Sequence, residues 1–119
     1  MRVERFTLPW KGKPKARPKV GRGRAYMPKE YMEWKQAIAQ DLQLNRVKPF
    51  HGRVEIALTF NKRSVDVVIR ECEHVVRFGN ADIDNLAGGI MDALENSGVL
   101  DNDRDVVSLY ATFPTEDVE

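Results

Sequence analysis

Hydrophobic residues recur along this chain in two rhythms. Tyr31, Trp34, Ile38 and Leu42 are spaced by three and four, which predicts a helix over residues 28–43 with one apolar stripe. Pro28 suits its first position, and Glu30 and Glu33 fall in its first turns, where the macrodipole favours anions. Leu86, Ala87, Ile90, Met91, Ala93 and Leu94 keep the same rhythm and predict a second helix over residues 85–96, with Gly98 placed to cap its end. Elsewhere the period is two. Val54, Ile56, Leu58 and Phe60 alternate with Glu55, Ala57 and Thr59, so residues 51–60 read as a strand with one buried face. Val3–Leu8, closed by Pro9, and Val106–Phe113 are short runs of strand formers. Residues 64–72 fit both rhythms. Val65, Val68, Ile69 and Cys72 match a helical period while their β-branching favours extension, and the reading leans to a short helix. Residues 75–78 then form a strand leading into Asn80–Asn85.

These elements predict an α+β class, with a two-layer arrangement, a mixed sheet of about four strands and two main helices. A chain of 119 residues admits one domain over residues 1–119, burying roughly two-thirds of its extended surface. With 42% hydrophobic and 31% charged residues, interspersed, it is neither a membrane protein nor a fibre. The single cysteine, Cys72, allows no internal disulfide, and the opening Met-Arg-Val-Glu-Arg-Phe has no apolar leader, so a reducing, cytoplasmic setting is expected.

Charge changes this picture. The formal net charge of +1 conceals a split: residues 1–29 hold ten Lys or Arg and one acid, Glu4, whereas residues 30–119 hold nine basic and seventeen acidic residues. The first quarter therefore carries +9 and the remainder −8. Such polarity suits a polyanion at one end and a carboxylate-dependent task at the other; a basic tail on an acidic domain is the plainer account. From Trp10 to Arg24, Lys and Arg alternate with Gly and Pro, which forbids a helix and predicts a mobile basic loop over residues 10–25.

The candidate chemistry lies among the acids. Asp82 and Asp84, if extended, project to one side with Cα atoms about 6.5 Å apart. Such a pair raises the pKa of at least one member unless a cation sits between them. Asp101-Asn102-Asp103-Arg104-Asp105 supplies further oxygens, and hard oxygen ligands select Mg²⁺ or Mn²⁺ over Zn²⁺. The alternative is ordinary: Asp84 as an N-cap and residues 101–105 as a solvated turn. A calcium loop is excluded, because Val106 and Thr112 stand where Gly and Glu are required. On a helical wheel Asn85, Gly88, Gly89 and Asp92 share the face opposite the apolar arc. Two glycines inside a helix cost roughly 1 kcal/mol each against alanine, which points to close approach of a backbone, a partner helix or DNA. His51 and His74 have no catalytic context.

Asp82-Ile83-Asp84-Asn85-Leu86, Asp92-Ala93-Leu94, Gly98-Val99 and Asn102-Asp103, together with the basic run Gly12–Pro18, resemble the RusA family of Holliday junction resolvases. The likeness spans most of the chain, with residues 61–78 as a variable region. It implies that Asp82, Asp84 and Asp103 bind the catalytic Mg²⁺, for which Mn²⁺ can substitute, supported by Asn85, Asp92 and Asp101. It implies a single nuclease domain that resolves four-way junctions and other branched DNA, hydrolysing phosphodiesters to 5′-phosphate and 3′-hydroxyl. Paired symmetric nicks imply a homodimer. Lys11, Lys13, Lys15, Arg17, Lys19, Arg22 and Arg24 would track phosphates, with Tyr26 or Trp10 available to stack on an exposed base. Two positions depart from the family pattern. Gly88 stands where a lysine is common, with Arg77 and Arg104 as candidates to supply that charge, and Asn102 replaces the first acid of a pair. The alternatives are a catalytically weakened DNA-binding member of the family, or a nucleic-acid or protein interaction module without catalysis.

Overall fold

The computed structural model describes residues 1–21, 23–73, 76 and 79–114. They belong to two compact units, Met1–Glu73 and His74–Glu119. The first unit contains β1 (Val3–Leu8), β2 (Lys19–Gly21), β3 (Arg24–Tyr26), α1 (Lys29–Leu44), β4 (Val54–Phe60) and β5 (Val65–Glu71). The second contains α2 (Ile83–Asn96) and a 3₁₀ turn, Asp103–Asp105. The α+β class read from the sequence is the class observed. Among the described residues all strand pairing is antiparallel, in one three-stranded and one two-stranded sheet.

The main sheet has the order β1-β5-β4. Its central strand is the stretch that leans to a helix when read alone. Residues 65–71 pair on both sides, Phe6 and Leu58 each opposite Val67, so every backbone ladder is occupied and helical spacing loses to sheet pairing. Val65 and Val67 alternate around Asp66 and are the only buried hydrophobic side chains among the described residues. Glu4, Phe6 and Leu8 share their face with Val65, Val67 and Ile69 and with the apolar row of β4. That row does not have the buried face its alternation predicts: Ile56, Leu58 and Phe60 are exposed. On the opposite face, Thr7 Oγ1 donates to Asp66 Oδ1 at 2.7 Å and Asn61 Nδ2 donates to Asp66 Oδ2 at 3.0 Å. This network ties the β4–β5 turn to β1. The two hydrogen bonds, Thr7 first and Asn61 second, hold the Asp66 carboxyl below its usual value.

Helix α1 confirms its stripe, with Tyr31, Trp34, Ile38 and Leu42 half-buried. Pro28 precedes the first turn as its N-cap. At the other end the Arg46 N–H donates to Gln43 O and the Val47 N–H to Leu42 O, the bonding pattern of a Schellman cap. Arg46 occupies its left-handed position at φ 53°, where glycine is usual. Arg2 closes the sheet end: its guanidinium lies 3.6 Å from the Phe50 ring centroid and donates to the carbonyls of Lys48 and Pro49.

In the second unit α2 begins at Ile83, two residues earlier than the apolar arc alone predicts, because Asp82 is the N-cap. Its end is a second Schellman cap, with Gly98 at φ 84° donating to Glu95 O and Val99 donating to Leu94 O. Residues 106–113 form no strand. They have the composition of one, but composition does not supply ladder partners; the backbone bond beside them is the Val76 N–H donating to Pro114 O at 2.9 Å. Val107 and Tyr110 are accordingly exposed. The strand expected over residues 75–78 lies, apart from Val76, outside the described residues.

Candidate functional site

The basic segment starts from a fixed root. The Trp34 indole N–H donates to Lys11 O at 3.1 Å, and the Trp34 ring stacks on Tyr31 with centroids 5.7 Å apart. Gly12 sits so close to Phe60 that a Cβ there would lie 2.7 Å from Cδ1 of the ring. From this root Lys13, Lys15 and Arg17 follow as exposed residues without regular structure. The chain then pairs with itself, so the last part of the expected loop is a short hairpin of β2 and β3, joined through residues 22 and 23. Gly23 takes φ 75°, a left-handed conformation that glycine adopts without a side-chain penalty. Lys19, Arg24 and Tyr26 are exposed on this hairpin, and Arg22 lies outside the described residues. Among the described residues none of Lys11, Lys13, Lys15, Arg17, Lys19 and Arg24 forms an ion pair, so these charges face solvent.

The acids of the second unit are arranged by α2. Asp82 has extended backbone (φ −70°, ψ 145°) and makes no capping hydrogen bond with its side chain, while Asp84 is already in the first helical turn. The extended Asp82/Asp84 couplet is thus replaced by a pair straddling the helix start, where partial positive charge favours carboxylates. Asn85, Gly88 and Asp92 continue along the helix, and a Cβ built on Gly88 or Gly89 meets nothing within 4 Å among the described residues of this chain.

Asp103 sits elsewhere. Its backbone N–H donates to Glu95 Oε2 at 2.6 Å, which holds the 3₁₀ turn against the last turn of α2. Asn102 takes the capping role, accepting from the Arg104 N–H at 2.9 Å. Arg104 therefore serves this turn, and Arg77 lies outside the described residues. Asp82 and Glu95 are at opposite ends of α2, roughly 20 Å apart along the axis at 1.5 Å per residue. The structure thus brings Asp82 and Asp84 to one end and Asp103, with Asp101 and Asp105, to the other. No group of three or more His, Cys, Asp or Glu side chains that could hold a metal ion forms among the described residues.

Sequence reading missed Glu95, whose position on a helix surface carries no signal of a bond to a turn eight residues on. It also missed Gly21, which lies against one edge of the Tyr26 ring. Cys72 Sγ is 3.3 Å from Glu55 Oε1 and is kept in its thiol form, its pKa raised by desolvation first and by Glu55 second. No helix among the described residues is long and apolar enough to cross a membrane.

Compared with known proteins, no curated protein and no solved structure matches the chain. The family model for endodeoxyribonuclease RusA matches residues 9–118, taking in the basic segment, both helices and the acidic turn. The chain belongs to the RusA endodeoxyribonuclease family.

Proposed function

We propose that this chain is an endodeoxyribonuclease that resolves four-way junctions and related branched DNA. It acts as a homodimer, making symmetric paired nicks that leave 5′-phosphate and 3′-hydroxyl ends. The observation that carries this reading is the family match over residues 9–118, which joins an exposed basic segment to Asp82 and Asp84 at the head of α2. The basic side chains would hold phosphates of either strand without regard to sequence, as exposed lysine and arginine do. Two-fold symmetry of the junction is matched by a pair of identical sites. Asp82, Asp84 and Asp103 are assigned to cleavage, with Asn85, Asp92 and Asp101 supporting them. Dependence on Mg²⁺, with Mn²⁺ as substitute, is proposed on donor chemistry alone, since carboxylate oxygens favour these ions.

The test is incubation of synthetic four-way junctions with the protein and Mg²⁺, repeated with Asp82→Asn. Symmetric nicks abolished by the substitution support the proposal, and nicks that persist overturn the assignment of Asp82. A second reading, a DNA-binding member with weakened catalysis, is favoured by Gly88 in place of lysine and by the separation of Asp103 from Asp82. Tight junction binding without nicks is its signature. No preference for branched over linear DNA would leave only a general interaction module. Millimolar Mg²⁺ or Mn²⁺ should also raise the melting temperature if the carboxylates share a cation, and an unchanged melting curve counts against that sharing.

A further inference from the structure

Cations along residues 11–24 attract any DNA, because every duplex presents the same row of phosphates. Preference for a branch needs a group that reads something a continuous duplex hides. At a branch point base stacking is interrupted, and the flat face of a base becomes accessible. The hairpin of β2 and β3 carries a group suited to that face.

Its register places Lys19 opposite Tyr26 and Gly21 opposite Arg24, so these four residues share one side of the ribbon, while Val20 and Ala25 share the other. One edge of the Tyr26 ring reaches diagonally across the ladder to Gly21. A Cβ built there would lie 3.1 Å from Tyr26 Cε1 and 3.8 Å from its hydroxyl oxygen, so a side chain at position 21 would displace the ring. Glycine at this position thus leaves room for the ring edge rather than making a turn. Tyr26 remains 52% exposed, so the ring is held at one edge and much of it stays open to solvent. Lys19 and Arg24 flank it from the same side of the ribbon, and neither is engaged in an ion pair among the described residues. An aromatic face bordered by two free cations is the arrangement that holds a single unstacked nucleotide, base on ring and phosphate on cation.

We propose that Tyr26, with Lys19 and Arg24 beside it, is the platform that selects branched DNA, by stacking on one unpaired base at the branch point. The inference rests on the nucleic-acid reading above, and goes beyond it in separating the group that selects structure from those that supply affinity. The basic run sets how tightly DNA is held; the platform sets which DNA.

The experiment uses the full chain in EDTA, with a labelled four-way junction and a linear duplex of equal length. The wild type should favour the junction. Tyr26→Leu should lower the junction-to-duplex affinity ratio on the order of 10-fold, the loss expected from one stacked base. Duplex binding and its salt dependence should stay as they were. Tyr26→Phe keeps a ring and should keep the ratio, and Gly21→Val should lower it as Tyr26→Leu does. Val20→Ser, on the opposite side of the ribbon, should leave the ratio unchanged. A junction carrying 5-iodouracil at its branch nucleotides should photo-crosslink to Tyr26, and the same base within the duplex should not. If Tyr26→Leu weakens junction and duplex equally, or neither, or if the crosslink maps elsewhere, the platform is overturned. Lys15→Ala/Arg17→Ala separates the two levels of the proposal. If it weakens both DNAs while Tyr26→Leu leaves the ratio intact, only the platform falls; if it weakens neither, the nucleic-acid reading falls and takes the platform with it.

Discussion

Removing two charges from the middle of the basic segment should change how steeply DNA binding depends on salt, by an amount the structure sets. Lys11, Lys13, Lys15, Arg17, Lys19 and Arg24 are exposed, and none is committed to an ion pair among the described residues. Each is therefore free to neutralise a phosphate and release a counterion. If about five of them do so in each protomer, log affinity falls with log salt at a slope near −4.5. Raising salt fourfold, from about 50 to about 200 mM, then weakens binding about 500-fold per protomer. In Lys13→Ala/Lys15→Ala about three contacts remain, the slope moves to about −2.7, and the same change in salt costs only about 40-fold. Fluorescence anisotropy with a labelled junction, titrated at several NaCl concentrations in EDTA, reads both slopes directly. A wild-type slope shallower than about −2, or a slope unmoved by the double substitution, would refute the assignment of this segment to phosphate contacts.

Further outcomes follow from local geometry. Arg46→Gly should stabilise the fold by about 0.5–1 kcal/mol, since it relieves a left-handed arginine at the end of α1; a lower urea midpoint in the variant would contradict this. Arg2→Ala removes two carbonyl hydrogen bonds and the contact with Phe50 from a side chain only 25% exposed. It should cost about 2 kcal/mol, and an unchanged midpoint would show that residues 48–50 are held by other contacts. The Asp66 carboxyl is held below its usual value by Thr7 and then Asn61. Its stabilising contribution is therefore complete above the unfolded carboxylate value and is lost as pH falls through about 4 toward the folded value. Asp66→Asn should flatten that part of the acid limb, and a limb identical to the wild type would disprove the linkage.

How far the sequence alone determined this protein depends on the range of the interaction concerned. The two helices, β1 and β4 follow from spacings within each segment, and Pro28 marks the start of α1. The charge split and the basic segment are plain in the order of residues, whereas the start of α2 is not: the apolar arc begins at residue 85, and the folded helix takes in Asp84 and is capped by Asp82. Gly98 marks the end of one helix; Arg46 ends the other with no such mark, because its left-handed backbone is imposed by the cap and not preferred by arginine. The rest required tertiary structure. Residues 65–71 are compatible with either period, and pairing to strands far away in sequence on both sides decided for a sheet. Residues 106–113 have strand composition and no strand, since a strand is made by ladder partners that composition alone does not supply. Glu95 bonding to the Asp103 N–H sets that aspartate at the far end of α2 from Asp82, and the edge of the Tyr26 ring meets Gly21 only when Gly21 comes opposite Arg24 in the ribbon. Periodicity, caps and charge act over a few residues and are legible in order. Ladder partners and carboxylate separations depend on which distant groups satisfy one another's hydrogen bonds, and only the folded chain decides that.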